Sequence, residues 1–159
     1  MFLKIFLIET FLFLIFAVPL SIMDVKKLRI SLFYTFLGIA AFFACRFFYF
    51  STGNFFSQLK FCAVSVISAA LVLFLTRVFS SGGLGIGDII FGFLSAVYCV
   101  VWWKNLAGLF FAALLGILTY LFLAVFSKIR RNEFLHPVFA IPFVPFISAG
   151  AILARIFFG

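Results

Sequence analysis

Charge is scarce in this chain. Only 10% of its 159 residues are charged and 67% are hydrophobic, against about 25% and about 45–50% in an ordinary soluble domain. A water-soluble fold would have nowhere to hide that apolar surface. Histidine occurs once, and the three cysteines (Cys45, Cys62 and Cys99) lie singly inside apolar stretches, with no CxxC spacing. That excludes a Cys/His zinc site and leaves the cysteines as small buried hydrophobes. The net charge of +8 comes without any basic run longer than Lys26-Lys27 or Arg130-Arg131, so it reads as a topology signal and not as nucleic-acid binding. Repeats, low-complexity segments and linkers are also missing.

What is present is a series of long apolar segments and 29 phenylalanines. A membrane span needs about 20 apolar residues. Candidates fall near 2–23, 30–50, 59–79, 87–103, 105–127 and 137–158, so the expected fold is all-α, a polytopic transmembrane bundle of about six spans forming one domain over residues 1–159. The first segment resembles a signal peptide in starting with Lys4 and an apolar run. Glu9 inside that run, the missing A-x-A site and near-span length favour a retained helix. Trp102-Trp103-Lys104-Asn105 reads as an interfacial turn between the fourth and fifth segments.

The links after segments one, three and five carry seven basic residues: Lys26, Lys27, Arg29, Arg77, Lys128, Arg130 and Arg131. The termini and the other links carry five: Lys4, Arg46, Lys60, Lys104 and Arg155. The positive-inside rule then puts the first group in the cytoplasm and both termini outside. Gly108, Ala112 and Gly116 form a small-residue stripe on which a neighbouring helix can pack closely. Pro137, Pro142 and Pro145 are expected to bend the sixth helix near its start.

Ionisable groups are costly in a membrane, so each of the four acids calls for an explanation. Glu133 lies in the basic link 127–136, where a solvated salt bridge suffices, and His136 at the end of that link suits an interfacial or capping role. Glu9 is about 22 Å along the first helix from Asp24, too far to share a site with it. Asp24 and Asp88 differ from these. Each falls at the cytoplasmic end of a segment with two complete spans between them, so parity returns both to one face. Asp88 also closes a loop in which four of the seven residues from Gly82 to Asp88 are glycine. Such a loop could hold an extended peptide against Asp88, or be a plain turn with Asp88 as a helix N-cap. Asp24 could equally balance Lys26, Lys27 and Arg29. As a pair, two carboxylates sharing one proton can activate water and protonate a leaving amine.

Three stretches resemble the type IV prepilin peptidases, membrane aspartic proteases of the GxGD type. They are Asp24 followed by Arg29-Ile30, Gly85-Ile86-Gly87-Asp88, and Ile141-Pro142-Phe143-Val144-Pro145-Phe146. Order and spacing agree, and the resemblance covers nearly the whole chain. Ser31 stands where that family usually has proline, Ile90 where it usually has lysine, and Val144 where it has glycine. The resemblance implies Asp24 and Asp88 as catalytic residues, Gly85 and Gly87 against the substrate, no metal or cofactor, and a prepilin or pseudopilin-like substrate at the bacterial cytoplasmic membrane. Longer members also carry a domain with paired CxxC motifs and methylate the cleaved pilin. The likeness here is to the short form, so peptidase without methyltransferase activity is expected. A non-catalytic membrane assembly subunit, an inactive peptidase homologue, and a small transporter whose aspartates bind a proton or cation are the competing readings.

Overall fold

A computed structural model describes residues 2–49, 52–80, 84–131 and 142–158, and the protein is an all-α helical bundle. The described residues form six helices in the order anticipated from hydropathy: α1 (Phe2–Lys27), α2 (Leu32–Tyr49), α3 (Thr52–Phe79), α4 (Ile86–Cys99), α5 (Trp102–Arg131) and α6 (Val144–Phe157). The described residues include no strand. The expected salt-bridge role of Glu133, the role of His136 and the bend at Pro137 lie outside the described residues, as do Ser81–Gly83 and Ile141.

Long and short helices alternate. Three helices are long and apolar enough to cross a bilayer, over Ile5–Lys27, Phe56–Phe79 and Trp102–Val125. α4 and α6 have 14 residues each, about 21 Å of helix against a hydrocarbon core of about 30 Å. Their burial explains how they can be short. α4 packs against all five other helices, and Phe91, Leu94, Ala96, Val97 and Tyr98 are almost fully enclosed. A helix covered by protein all round need not match the lipid, whereas α1, α3 and α5 direct side chains such as Phe11, Phe74 and Phe110 outward.

The small-residue stripe does pack closely. A Cβ on Gly108 would lie 3.2 Å from the Ala151 backbone, and one on Gly150 would run into the Gly108 carbonyl and come within 3.2 Å of Ala112 Cβ. α5 and α6 therefore cross at backbone distance, as small residues permit when lipid offers no hydrophobic drive to association. Gly116 contributes less, since a Cβ there would make ordinary contact with Phe143 and Phe146.

Two local expectations change. Trp102–Asn105 is not a turn but the first turn of α5, and Asn105 is buried. The reversal is made instead at Val100, which has φ 64° and ψ −54° while the Val101 N–H donates to the Cys99 carbonyl at 2.7 Å. That is a γ-turn on a β-branched residue, a strained conformation. The prolines do not bend α6. Pro142 precedes the helix and Pro145 occupies its first turn, where the missing N–H has no intrahelical acceptor in any case.

Candidate functional site

Asp24 lies in the last turn of α1 and is 4% exposed. One turn on, the Leu28 N–H donates to the Asp24 carbonyl at 2.8 Å, and Leu28 takes a left-handed φ of 49° that ends the helix. The chain then folds back so that Ile30 meets α4. A Cβ on Gly87 would come within 3.0 Å of Ile30 Cδ1 and 3.2 Å of Ile30 Cβ. Glycine at 87 is thus what lets the segment after Asp24 lie against the start of α4.

At the N-terminus of α6 a donor is available for Asp24. Pro142 and Pro145 have no N–H, and Phe146 N–H returns to the Phe143 carbonyl. The Val144 N–H has no partner within its own helix and donates to Asp24 Oδ2 at 3.0 Å, with the Phe143 N–H acting on the same carboxylate. Ser21 and Ser148 meet one turn further along this α1–α6 contact, with hydroxyls 3.5 Å apart.

Asp88 stands three residues into α4 and accepts a hydrogen bond from the Gly85 N–H at 3.1 Å. The N-cap is therefore Gly85, not Asp88, and Asp88 reaches back from the third position of the helix to the N-cap backbone, with no side chain at Gly85 to return the bond. A Cβ on Gly85 would sit 3.1 Å from Asp88 Oδ2, so glycine there leaves room for the carboxylate. Arg77, which the sequence marked only as a topology signal, donates through Nη1 to the Leu84 carbonyl at 2.6 Å and secures the far end of this loop.

The two carboxylates are near enough for the charge of Asp24 to act on Asp88. All three motif stretches thus come together: the first touches the third through Asp24 and Val144, and the second through Ile30 and Gly87. Gly85 and Gly87 have contacts of their own inside the protein, to Asp88 and Ile30 respectively. Among the described residues no three His, Cys, Asp or Glu side chains converge as a metal site would require.

Sequence reasoning missed a second ionic cluster at the opposite end of the bundle. Glu9 is 4% exposed and Arg46 2%, and both are inside helices. Arg46 Nε donates to Glu9 Oε1 at 2.8 Å, and Arg155 Nη2 bonds the other carboxylate oxygen. Arg46 also reaches Cys62 Sγ at 3.0 Å, and Arg155 Nη1 donates to the Tyr98 carbonyl at 2.9 Å. The Tyr98 ring lies under the Arg155 guanidinium, 4.6 Å from its central carbon. Thr10 spends its one proton on the Phe6 carbonyl, so the Tyr98 hydroxyl donates to Thr10 across 2.9 Å. Arg46 and Arg155 are therefore ion-pair partners within helices and not loop charges. Cys62 and Cys99 are buried as expected, while Cys45 is only partly so.

Comparison with protein-family models, curated proteins and solved structures finds no match to this chain.

Proposed function

We propose that this protein is a membrane aspartic endopeptidase that removes the short basic leader of a prepilin or pseudopilin-like precursor. The observation that carries the reading is the convergence of Asp24, Asp88 and the Phe143–Val144 backbone from three distant parts of the chain. Two carboxylates in electrostatic contact favour a state with one proton between them. The ionised member takes a proton from water as its oxygen attacks the peptide carbonyl carbon. The protonated member hydrogen-bonds the developing oxyanion, and the C–N bond then breaks as the amine accepts a proton. No acyl-enzyme and no metal enters this sequence.

In this reading all six helices cross the bacterial cytoplasmic membrane, with the aspartate end at the cytoplasmic face. The revised charge count supports that orientation. Removing the paired Arg46 and Arg155 from the five basic residues on the outer side leaves three, Lys4, Lys60 and Lys104, against seven on the inner side.

The test is conversion of a pilin-like precursor with a basic leader by Asp24→Asn and Asp88→Asn variants, with membrane levels of each measured in parallel. Each single change is expected to abolish cleavage, and the double variant to be no worse than either. Normal accumulation with continued processing by either variant rules out the dyad and leaves proton or cation binding as the explanation for the pair.

A further inference from the structure

The cluster at the opposite end of the bundle is not electrically balanced. Glu9 is the only acid at this end among the described residues, and it already has both Arg46 and Arg155 as partners. Lys104 adds a third cation. Its Nζ lies over the Trp103 ring at 5.6 Å from the centroid, and Trp103 packs edge-on against Phe158 at 5.3 Å, three residues beyond Arg155. α5 and α6 cross with Gly108 against Ala151, so one helical turn nearer this end Lys104 and Arg155 come level with each other. Three cations against one carboxylate leave two positive charges in excess.

The excess is not spread evenly. Arg46 is sealed in, with Nε, Nη1 and Nη2 bonded to Glu9, Cys62 and the Tyr98 carbonyl. Arg155 bonds Glu9 and the Tyr98 carbonyl yet its side chain keeps 14% exposure, and Lys104 is half-buried, so these are the two cations of the cluster that retain access to the surface. Beside Lys104 the Trp103 ring packs on Phe158, and Trp103 is 43% exposed, as an amphipathic indole at the level of lipid headgroups would be. Uncompensated positive charge at a low-dielectric boundary is unfavourable until an anion joins it.

We propose that this end of the bundle binds a phosphate group through Arg155 and Lys104, and that in the membrane the phosphate is the headgroup of an anionic phospholipid whose glycerol and upper chains rest on Trp103 and Phe158. The proposal is independent of the proteolytic reading, since none of its residues belongs to the aspartate site.

The experiment is a titration of the purified full chain in detergent with phosphatidylglycerol, phosphatidylcholine or inorganic phosphate, followed by native mass spectrometry and thermal stability. Phosphatidylglycerol is expected to bind several-fold more tightly than phosphatidylcholine. Lys104→Gln, which leaves the Glu9 ion pairs intact, is expected to weaken it about fivefold, the worth of one cation near an anionic surface, and Lys104→Arg to restore it. Binding of inorganic phosphate with the same sensitivity to Lys104→Gln supports the phosphate site and overturns the lipid as its source. Equal affinity for the two lipids, or unchanged phosphatidylglycerol binding by Lys104→Gln, overturns the proposal.

Discussion

Replacing Glu9 by glutamine removes one charge on which a buried arginine, Arg46, and a partly buried one, Arg155, both depend. Arg46 is 2% exposed and cannot turn to water, and Arg155 loses the carboxylate that holds one arm of its fork. Breaking a buried ion pair by removing one partner costs about 3–5 kcal/mol, because the remaining charge stays desolvated. The glutamine amide oxygen can still accept from Arg46 Nε or from Arg155, but not with the strength of a carboxylate and not with two equivalent oxygens. The loss is therefore expected at about 3 kcal/mol, the lower end of that range. Arg46→Met should cost less, since Glu9 then keeps Arg155 as its partner. Combining the two changes should cost clearly less than their sum, because the double variant has one buried arginine fewer to strand. Unfolding of the detergent-solubilised protein, followed by tryptophan fluorescence, measures all three. If Glu9→Gln lies within about 0.5 kcal/mol of the parent, the spread of an ordinary surface change, while Arg46→Met is the more damaging, the account of this cluster is refuted.

Other outcomes follow from contacts at single positions. Gly87→Ala should reduce precursor cleavage more than it reduces membrane accumulation, because its Cβ presses on Ile30 beside the dyad; equal loss of both would mean a purely structural role. Gly150→Leu should prevent α5 and α6 from closing, and limited proteolysis of the bundle is the readout. Val100→Gly should raise stability by about 1 kcal/mol, the strain of the γ-turn less the added chain entropy, and thermal unfolding measures it. Cleavage should persist in the presence of metal chelators and of serine- or thiol-directed reagents; loss with a chelator would point to a metal-dependent reaction.

Much of the fold was legible because hydropathy alone locates six helices when lipid or protein must cover every apolar segment. Helix ends were less so. Trp102 and Trp103 have the composition of an interface but the backbone of a first helical turn, and the reversal at Val100 has no turn residue to announce it. The positions of Asp24 and Asp88 at one end followed from parity, yet the partner of Asp24 did not, since a backbone N–H leaves no side-chain signature. Its trace is indirect: prolines at 142 and 145 leave few donors at the start of α6, and Val144 is one of them. The second cluster was within reach of the same parity reasoning. Glu9 near the start of α1, Arg46 near the end of α2 and Arg155 near the end of α6 all fall at one end of the bundle. Counting both arginines as topology signals concealed their pairing.

The hydrogen bond from Val144 to Asp24 joins residues 120 positions apart, and it sets an order of events during biosynthesis. A chain entering the membrane from its N-terminus delivers α1 first and α6 last. Both aspartates have been made once α4 is complete, but the donor that fixes Asp24 arrives only with α6. Between those two points the carboxylate pair is present without being held, and under the proposed peptidase function a nascent chain would be inert toward any precursor emerging beside it. Under that function completion of α6 would be the step that arms the site, so chains cut short before Val144 are expected to accumulate and remain silent.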